Sequence, residues 1–286
     1  MKFIATATIG FDHIDTDYLA SAGIGWTNCP GCNAPSVGQY IACSLLLLQE
    51  AGHIRLDDCT VGIVGVGHVG TQVALAVERL GCRVLRCDPP RAEKEGSAGF
   101  VSYEEVMAQA DVITFHTPLT RDGAHPTYHL ADTEFFHQLG KRPVIINSAR
   151  GEVVSNPALK AALKEGLIRT AIVDTWENEP GIDLELLDQV FLGTPHIAGY
   201  SADGKACGSR MALEAVARHF GLPDHFDIEA PALPEGFNYY PEDQQEGRPA
   251  DSPLRLYNPR RDSDALKAHP EQFENLRGHY PLRREK

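Results

Sequence analysis

The chain has no long apolar run. Its longest mostly apolar stretch, residues 41–48, is far shorter than the roughly 20 residues that span a bilayer, so no membrane segment is expected. It has no excess of basic charge either: 26 Lys and Arg stand against 39 Asp and Glu, a formal net charge of −13. That balance excludes a general attraction to nucleic acid or to an anionic membrane, and an anionic ligand would need local Arg or Lys. Met1 leads into a strand-like segment, without the charged start and cleavage site of a secretory signal. The seven cysteines are odd in number and scattered; without a signal they read as reduced thiols of a cytoplasmic protein. Cys29-Pro30-Gly31-Cys32 spells CxxC. No second ligand pair at metal spacing accompanies it, and no thioredoxin setting, so no metal is expected. No internal repeat is visible.

What is present is organised around residues 61–70, Val-Gly-Ile-Val-Gly-Val-Gly-His-Val-Gly. Residues 61–64 read as a buried strand, followed by a GxGxxG turn. Val69, Val73, Ala76, Val77 and Leu80 then mark one face of a helix, which Gly81 stops. A second apolar run, 83–87, ends in Asp88. Strand, glycine turn, helix, strand and acid in that order are the dinucleotide-binding fingerprint. Gly65 permits the tight turn, Gly67 lets the backbone approach a pyrophosphate, and Gly70 allows close helix–strand packing. The helix start offers N–H groups to phosphates. Asp88 would accept from the adenosine ribose hydroxyls and repel a ribose phosphate, so NAD is expected rather than NADP. The alternative is a similar domain kept only as structure.

Further strands are expected at 3–9, 23–29, 111–115, 143–147, 171–176 and 190–192. Helices are expected at 16–22, 133–139, 156–164, 183–189 and 205–220. Asn33 and Pro35 are placed to open another, ended by Gly52, and Ser102 with Glu105 resembles a capping box. Pro89-Pro90 is expected to break the chain. Alternating strands and helices indicate an α/β fold with a doubly wound, Rossmann-type parallel sheet. Residues 223–263 are rich in Pro, Asp, Glu, Gly and Tyr and read as loop or disorder; 264–286 read as charged and weakly helical.

Ligands of such sheets sit beyond the carboxyl ends of the strands. Arg150, Glu179 and His196 all fall there, with Thr117 and Asp174 near the nicotinamide end. Oxidising a hydroxy acid needs a base for the hydroxyl proton, and histidine suits it. A carboxylate such as Glu179 would orient that imidazole and stabilise its charged form. Arg150 can hold a substrate carboxylate bidentately. The bland readings are an ion-pair Arg, a solvated loop Glu and a turn His. Lys205 is either a phosphate ligand or a solvated helix lysine.

The order of GxGxxG, then Asn147-Ser148-Ala149-Arg150-Gly151, then 174–180, then Pro195-His196, resembles the D-isomer-specific 2-hydroxyacid dehydrogenase family. The resemblance implies that Arg150, Glu179 and His196 are catalytic. A narrower resemblance is to the branch of that family that oxidises 4-phospho-D-erythronate to (R)-3-hydroxy-2-oxo-4-phosphobutanoate in making pyridoxal 5′-phosphate. It rests on 5–13, 30–34, 87–91, 196–200 and the tail 273–284. It implies substrate contacts at Thr8 and Tyr200, and NAD contacts at His68, Val69, Asp88, Thr117, Asp174 and Gly199, beside the turn glycines Gly65, Gly67 and Gly70. It implies a homodimer and a partial flavodoxin-like substrate lobe. The resulting division is a lobe remnant at 1–34, an NAD-binding domain at 35–206 with 35–52 as interdomain helix, a returning helix at 207–222, and a dimerisation-like region at 223–286. Relative to that branch the chain looks to lack the leading part of the substrate lobe. The competing expectations are a dehydrogenase of the phosphoglycerate or hydroxypyruvate type, and an NAD-binding protein without turnover.

Overall fold

The first two strands are short. In this computed structural model, which describes residues 1–11, 13–232, 252–281 and 283–285, β1 (Phe3–Ala5) and β2 (Gly25–Thr27) pair in parallel around α1 (Thr16–Ser21). Asp15 caps α1, its side chain accepting from the Tyr18 N–H. All six strand residues are only half-buried. The small lobe is therefore a two-stranded sheet leaning on its neighbours.

Next comes α2 (Ala34–Glu50), buried along most of its length. A helix apolar nearly all round belongs inside a protein, and α2 packs along α3 (His68–Arg79), sharing with it the apolar cluster on one face of the main sheet. The main sheet contains β3 (Thr60–Val64), β4 (Arg83–Cys87), β5 (Val112–Phe115), β6 (Val144–Asn147), β7 (Thr170–Val173) and β8 (Leu192–Gly193). All pairs are parallel, in the order β4-β3-β5-β6-β7-β8. Every residue of β3, β5, β6 and β7 is buried, as a parallel sheet covered on both faces requires. One apolar cluster fills each face: Phe115, Phe135, Leu159 and Trp176 on one, Tyr40, Leu45, Val73 and Ile146 on the other. The doubly wound α/β expectation holds.

Two local expectations change and a third holds. Pro89 and Pro90 do not break the chain; they begin α4 (Pro89–Glu95), with Asp88 as N-cap accepting from the Arg91 N–H. The first helical turn needs no intrahelical N–H, so proline is suited there. Asn33 stands at the N-cap of α2, yet its side chain makes no capping hydrogen bond; it packs beneath Gly199 and Gly204 instead. The Ser102 cap does form, holding the Glu105 N–H at the start of α5 (Tyr103–Gln109).

Beyond α6 (Thr133–His137), α7 (Asn156–Glu165) and α8 (Leu184–Gln189), helix α9 (Ala202–Phe220) returns to the small lobe and packs on β1. Residues 233–251, within the stretch expected to be loop, lie outside the described residues. The end of that stretch is helical, not loop: α10 (Pro259–Ala268) is followed by α11 (Phe273–Gly278). Pro259 occupies its first turn and the Asn258 side chain caps it, an arrangement that needs few apolar residues. The Ser263 hydroxyl accepts the Gly193 N–H and Lys267 donates to the Val190 carbonyl. The tail thereby covers the β8 edge, which would otherwise offer unpaired backbone groups.

Candidate active site

The glycine turn lies between β3 and α3, beside the point where the strand order reverses. Gly65 has φ +87°, and a Cβ there would lie 2.8 Å from the His116 carbonyl carbon. A Cβ on Gly70 would meet the Gly65 oxygen at 2.0 Å. Gly67 has nothing within 4 Å of its missing Cβ. Two glycines thus serve packing, and the third faces open space at the helix start, where His68 and Val69 begin α3. Asp88 directly follows β4, and its carboxylate accepts the Val66 N–H at 2.8 Å, fixing the turn. Arg91 beside it is engaged by Glu95 and by the Val66 carbonyl. Thr117 follows β5 and has a buried hydroxyl with no hydrogen-bond partner among the described residues. An open cradle, a helix start without a side-chain cap and an orphaned hydroxyl together fit a dinucleotide.

The other half of the sheet carries the acid–base groups. Arg150, Glu179 and His196 follow β6, β7 and β8, three neighbouring strands. Nδ1 of His196 lies 2.8 Å from Oε2 of Glu179. Oε1 of Glu179 accepts the Trp176 N–H, also at 2.8 Å. The carboxylate is thus aimed by its own turn, and the imidazole is aimed by the carboxylate. With Nδ1–H donated to Glu179, Nε2 is left as the basic nitrogen. His196 has a left-handed backbone, φ 55°, sparsely populated for a side chain of this kind. Asp174 holds that conformation. Its carboxylate accepts from Thr194 Oγ1 and from the N–H groups of Ile197 and Ala198, and its carbonyl accepts the His196 N–H. Burial raises the Asp174 pKa against the pull of these partners. Arg150 donates to the Ala149 carbonyl.

Gly199 and Tyr200 continue from His196. A Cβ on Gly199 would strike the Asn33 side chain at 2.3 Å, so this loop lies against the start of α2. Tyr200 packs edge-on against Tyr280 of the tail. Thr8 stands apart in the small lobe, exposed, its hydroxyl donating to the Gly10 carbonyl at 2.8 Å and 2.7 Å from that of Thr6.

Some residues at the site carry no local signal in the sequence. Arg277 of α11 donates to the Tyr200 hydroxyl and approaches Glu179. Arg283 is buried and donates to Ser36 and to the Ala198 carbonyl. Burial opposes its charge, but Tyr257, Tyr280 and Asp262 hold its pKa up. His129 pairs with Glu177 at 2.6 Å, and Glu177 also accepts the Asn156 N–H, fixing the 174–180 turn. The CxxC pair has a structural explanation. Gly31, at φ +82°, presses on the His68 ring, where a Cβ would sit at 3.1 Å. Cys29 donates to the Thr6 and Gly208 carbonyls, and burial pushes Cys32 up to about 12. Among the described residues no cluster of His, Cys, Asp or Glu could hold a metal ion, and no helix is long and apolar enough to cross a membrane.

Comparison with known proteins places this geometry. Residues 48–198 match the D-isomer specific 2-hydroxyacid dehydrogenase NAD binding domain. Erythronate-4-phosphate dehydrogenase of Bacteroides fragilis is 53% identical over 285 residues, covering 100% of this chain and 80% of that protein. The protein of that name from Cronobacter sakazakii is 41% identical over 294 residues, covering 100% and 77%. Among solved structures, D-lactate dehydrogenase from Aquifex aeolicus, complexed with NAD and lactic acid, superposes with a TM-score of 0.61 at 27% identity, over 77% of each chain. Such identity, carried over the whole chain on an NAD-binding fold, means that the chain belongs to the erythronate-4-phosphate dehydrogenases, within the D-isomer-specific 2-hydroxyacid dehydrogenase family.

Proposed function

We propose that the chain oxidises 4-phospho-D-erythronate at C2, giving (R)-3-hydroxy-2-oxo-4-phosphobutanoate for vitamin B6 synthesis. The His196–Glu179 pair, closed at 2.8 Å, is the observation that carries this reading. Nε2 of His196 takes the C2 hydroxyl proton, and Glu179 stabilises the resulting imidazolium. Arg150 holds the substrate carboxylate and polarises the developing carbonyl. NAD, when bound, supplies the carbon that receives the hydride. Asp88 selects it over NADP: a 2′-phosphate would meet a carboxylate, and Arg91 is already paired with Glu95. Gly199 and Asp174 shape the nicotinamide end; Thr8 and Tyr200 contact substrate from either side. Seven free cysteines, six of them buried, suit a reducing cytoplasm. Exposed Leu213, Phe220 and Leu222 on and just after α9 supply apolar surface for a homodimer.

The test is NADH formation by the purified chain, given NAD with either 4-phospho-D-erythronate or D-3-phosphoglycerate. Turnover that prefers the erythronate is expected. Preference for phosphoglycerate would overturn the substrate assignment. NAD binding with no turnover of either compound would overturn the assignment of activity.

A further inference from the structure

Arg277 enters the site from the C-terminal tail. Its Nε donates to the Tyr200 hydroxyl at 3.3 Å, and its Nη1 lies 3.8 Å from Oε2 of Glu179. That carboxylate is the one paired with His196, so the guanidinium stands one residue from the imidazole. We propose that Arg277 is a specificity residue of the substrate site, binding the phosphate of a phosphorylated hydroxy acid. The proposal deepens the function proposed above and rests on it for the identity of the acid.

Arg277 has unspent donors. A guanidinium has five N–H groups. Among the described residues Arg277 makes one hydrogen bond, to Tyr200. Its remaining polar neighbours, Glu179 at 3.8 Å and Glu274 at 4.0 Å, are too distant for hydrogen bonds. Yet the side chain is only 29% exposed. A half-buried cation with idle, forked donors matches the geometry of phosphate oxygens.

The charge of the ligand must also be balanced. A phosphorylated hydroxy acid brings a carboxylate and a phosphate into a chain of net charge −13. The site already contains Glu179 and Asp174. Arg150 can balance the carboxylate, and the phosphate needs its own cation. Tyr200 is flanked by two: Arg277 on its hydroxyl, and Lys205 with Nζ 5.1 Å from its ring centroid. Both of the open readings of Lys205 are compatible with this, and Arg277 is the better buried of the two.

The tail is fixed before any ligand arrives. Phe273, in the first turn of α11, is 1% exposed. Arg284 grips Asp203 with two hydrogen bonds of 2.9 Å, and Ser201 donates to Glu285 at 2.7 Å. The buried Arg283 ties the same strand of tail to Ala198. The guanidinium is therefore presented from an anchored segment, which lowers the entropy of engaging a phosphate.

The experiment measures binding to the NADH-loaded full chain by calorimetry, with 4-phospho-D-erythronate and D-erythronate as probes. Wild type should bind the phosphorylated acid more tightly. Arg277→Gln should weaken that ligand about 30-fold or more, shift D-erythronate by no more than about threefold, and leave NADH affinity unchanged. Arg277→Lys should recover part of the loss, since lysine supplies the charge without the fork. The proposal is overturned if Arg277→Gln weakens both acids equally, if it weakens neither, or if wild type does not discriminate between them. The wild-type turnover comparison with D-3-phosphoglycerate separately decides the substrate assignment. Should that assignment fail, the same variants compared on D-3-phosphoglycerate and D-glycerate still decide whether Arg277 reads phosphate.

Discussion

His196 is held in a backbone conformation that histidine seldom adopts, φ 55°, and the hydrogen bonds that enforce it come from Asp174. Strain that the surroundings over-determine is a mark of functional positions. Because the loop is held through backbone groups, His196→Ala should leave it in place. We expect kcat to fall by about a thousandfold, within the range for a lost general base, with NAD affinity unchanged in a fluorescence titration; full turnover would exclude His196 as the base. The glycines of the nucleotide turn offer a second contrast. Gly67→Ala adds a methyl to open space, where the pyrophosphate would lie, so it should weaken NAD while the melting temperature stays near that of wild type. Gly70→Ala drives a Cβ to 2.0 Å from the Gly65 oxygen and should lower the melting temperature before any ligand is added. Equal thermal effects from the two would contradict this division of labour.

At the scale of the element, the tail is a polar brace. The hydroxyls of Tyr257 and Tyr280 donate to Oδ2 of Asp262, at 3.0 and 2.7 Å, and Arg283 lies over both tyrosine rings. Burial pushes the Asp262 carboxyl up to about 6, against the opposing pull of Tyr280, Arg283 and Tyr257. Its folded pKa is therefore above its unfolded one. Between about pH 4 and 6 the native state holds more protons than the unfolded chain, so stability falls as pH rises through that window. At 1.36 kcal/mol per unit the carboxyl contributes a decline of about 3 kcal/mol. Asp262→Asn keeps an acceptor for the tyrosines and cannot ionise. Urea unfolding at pH 4.5 and 7 should show wild type losing stability relative to this variant; parallel curves would exclude the mechanism. This brace was not legible in the sequence. The nucleotide unit from β3 to β4 was, because its apolar period, glycines and terminal acid are all local. So were the strand-end positions of Arg150, Glu179 and His196, since each lies within a few residues of an apolar run. Arg277 meets Tyr200 from 77 residues away and Arg283 meets Ser36 from 247. Only the folded tail brings them together. Pro89-Pro90 failed for the opposite reason: a local signal that fits both a break and a helix start was decided by Asp88.

At the scale of the molecule, the main sheet and the small lobe differ in solidity. The sheet from β3 to β7 is buried throughout, with a core on each face. The small lobe has two strands of three residues, half-buried, paired only with each other. It leans mainly on α9, with Phe3 stacked on His219 and Cys29 bonded to Gly208, and it touches the glycine turn through Gly31 against His68. Elements with few buried apolar contacts open locally at low free energy. Amide exchange in β1 and β2 should therefore be fast and insensitive to low urea, while β3, β5, β6 and β7 exchange together through global unfolding. Saturating NAD should slow the sheet amides in step with its binding free energy and leave β1 and β2 nearly unchanged, because the cofactor contacts expected here all lie on the sheet side. Equal slowing in both bodies would mean that the lobe folds as one unit with the sheet. The distinction bears on turnover, since Thr8, proposed above as a substrate contact, belongs to the small lobe, whereas Tyr200 and Arg277 are anchored on the large one. A lobe that opens independently would make substrate affinity depend on its closure, and the pair His196–Glu179 would be assembled before substrate arrives.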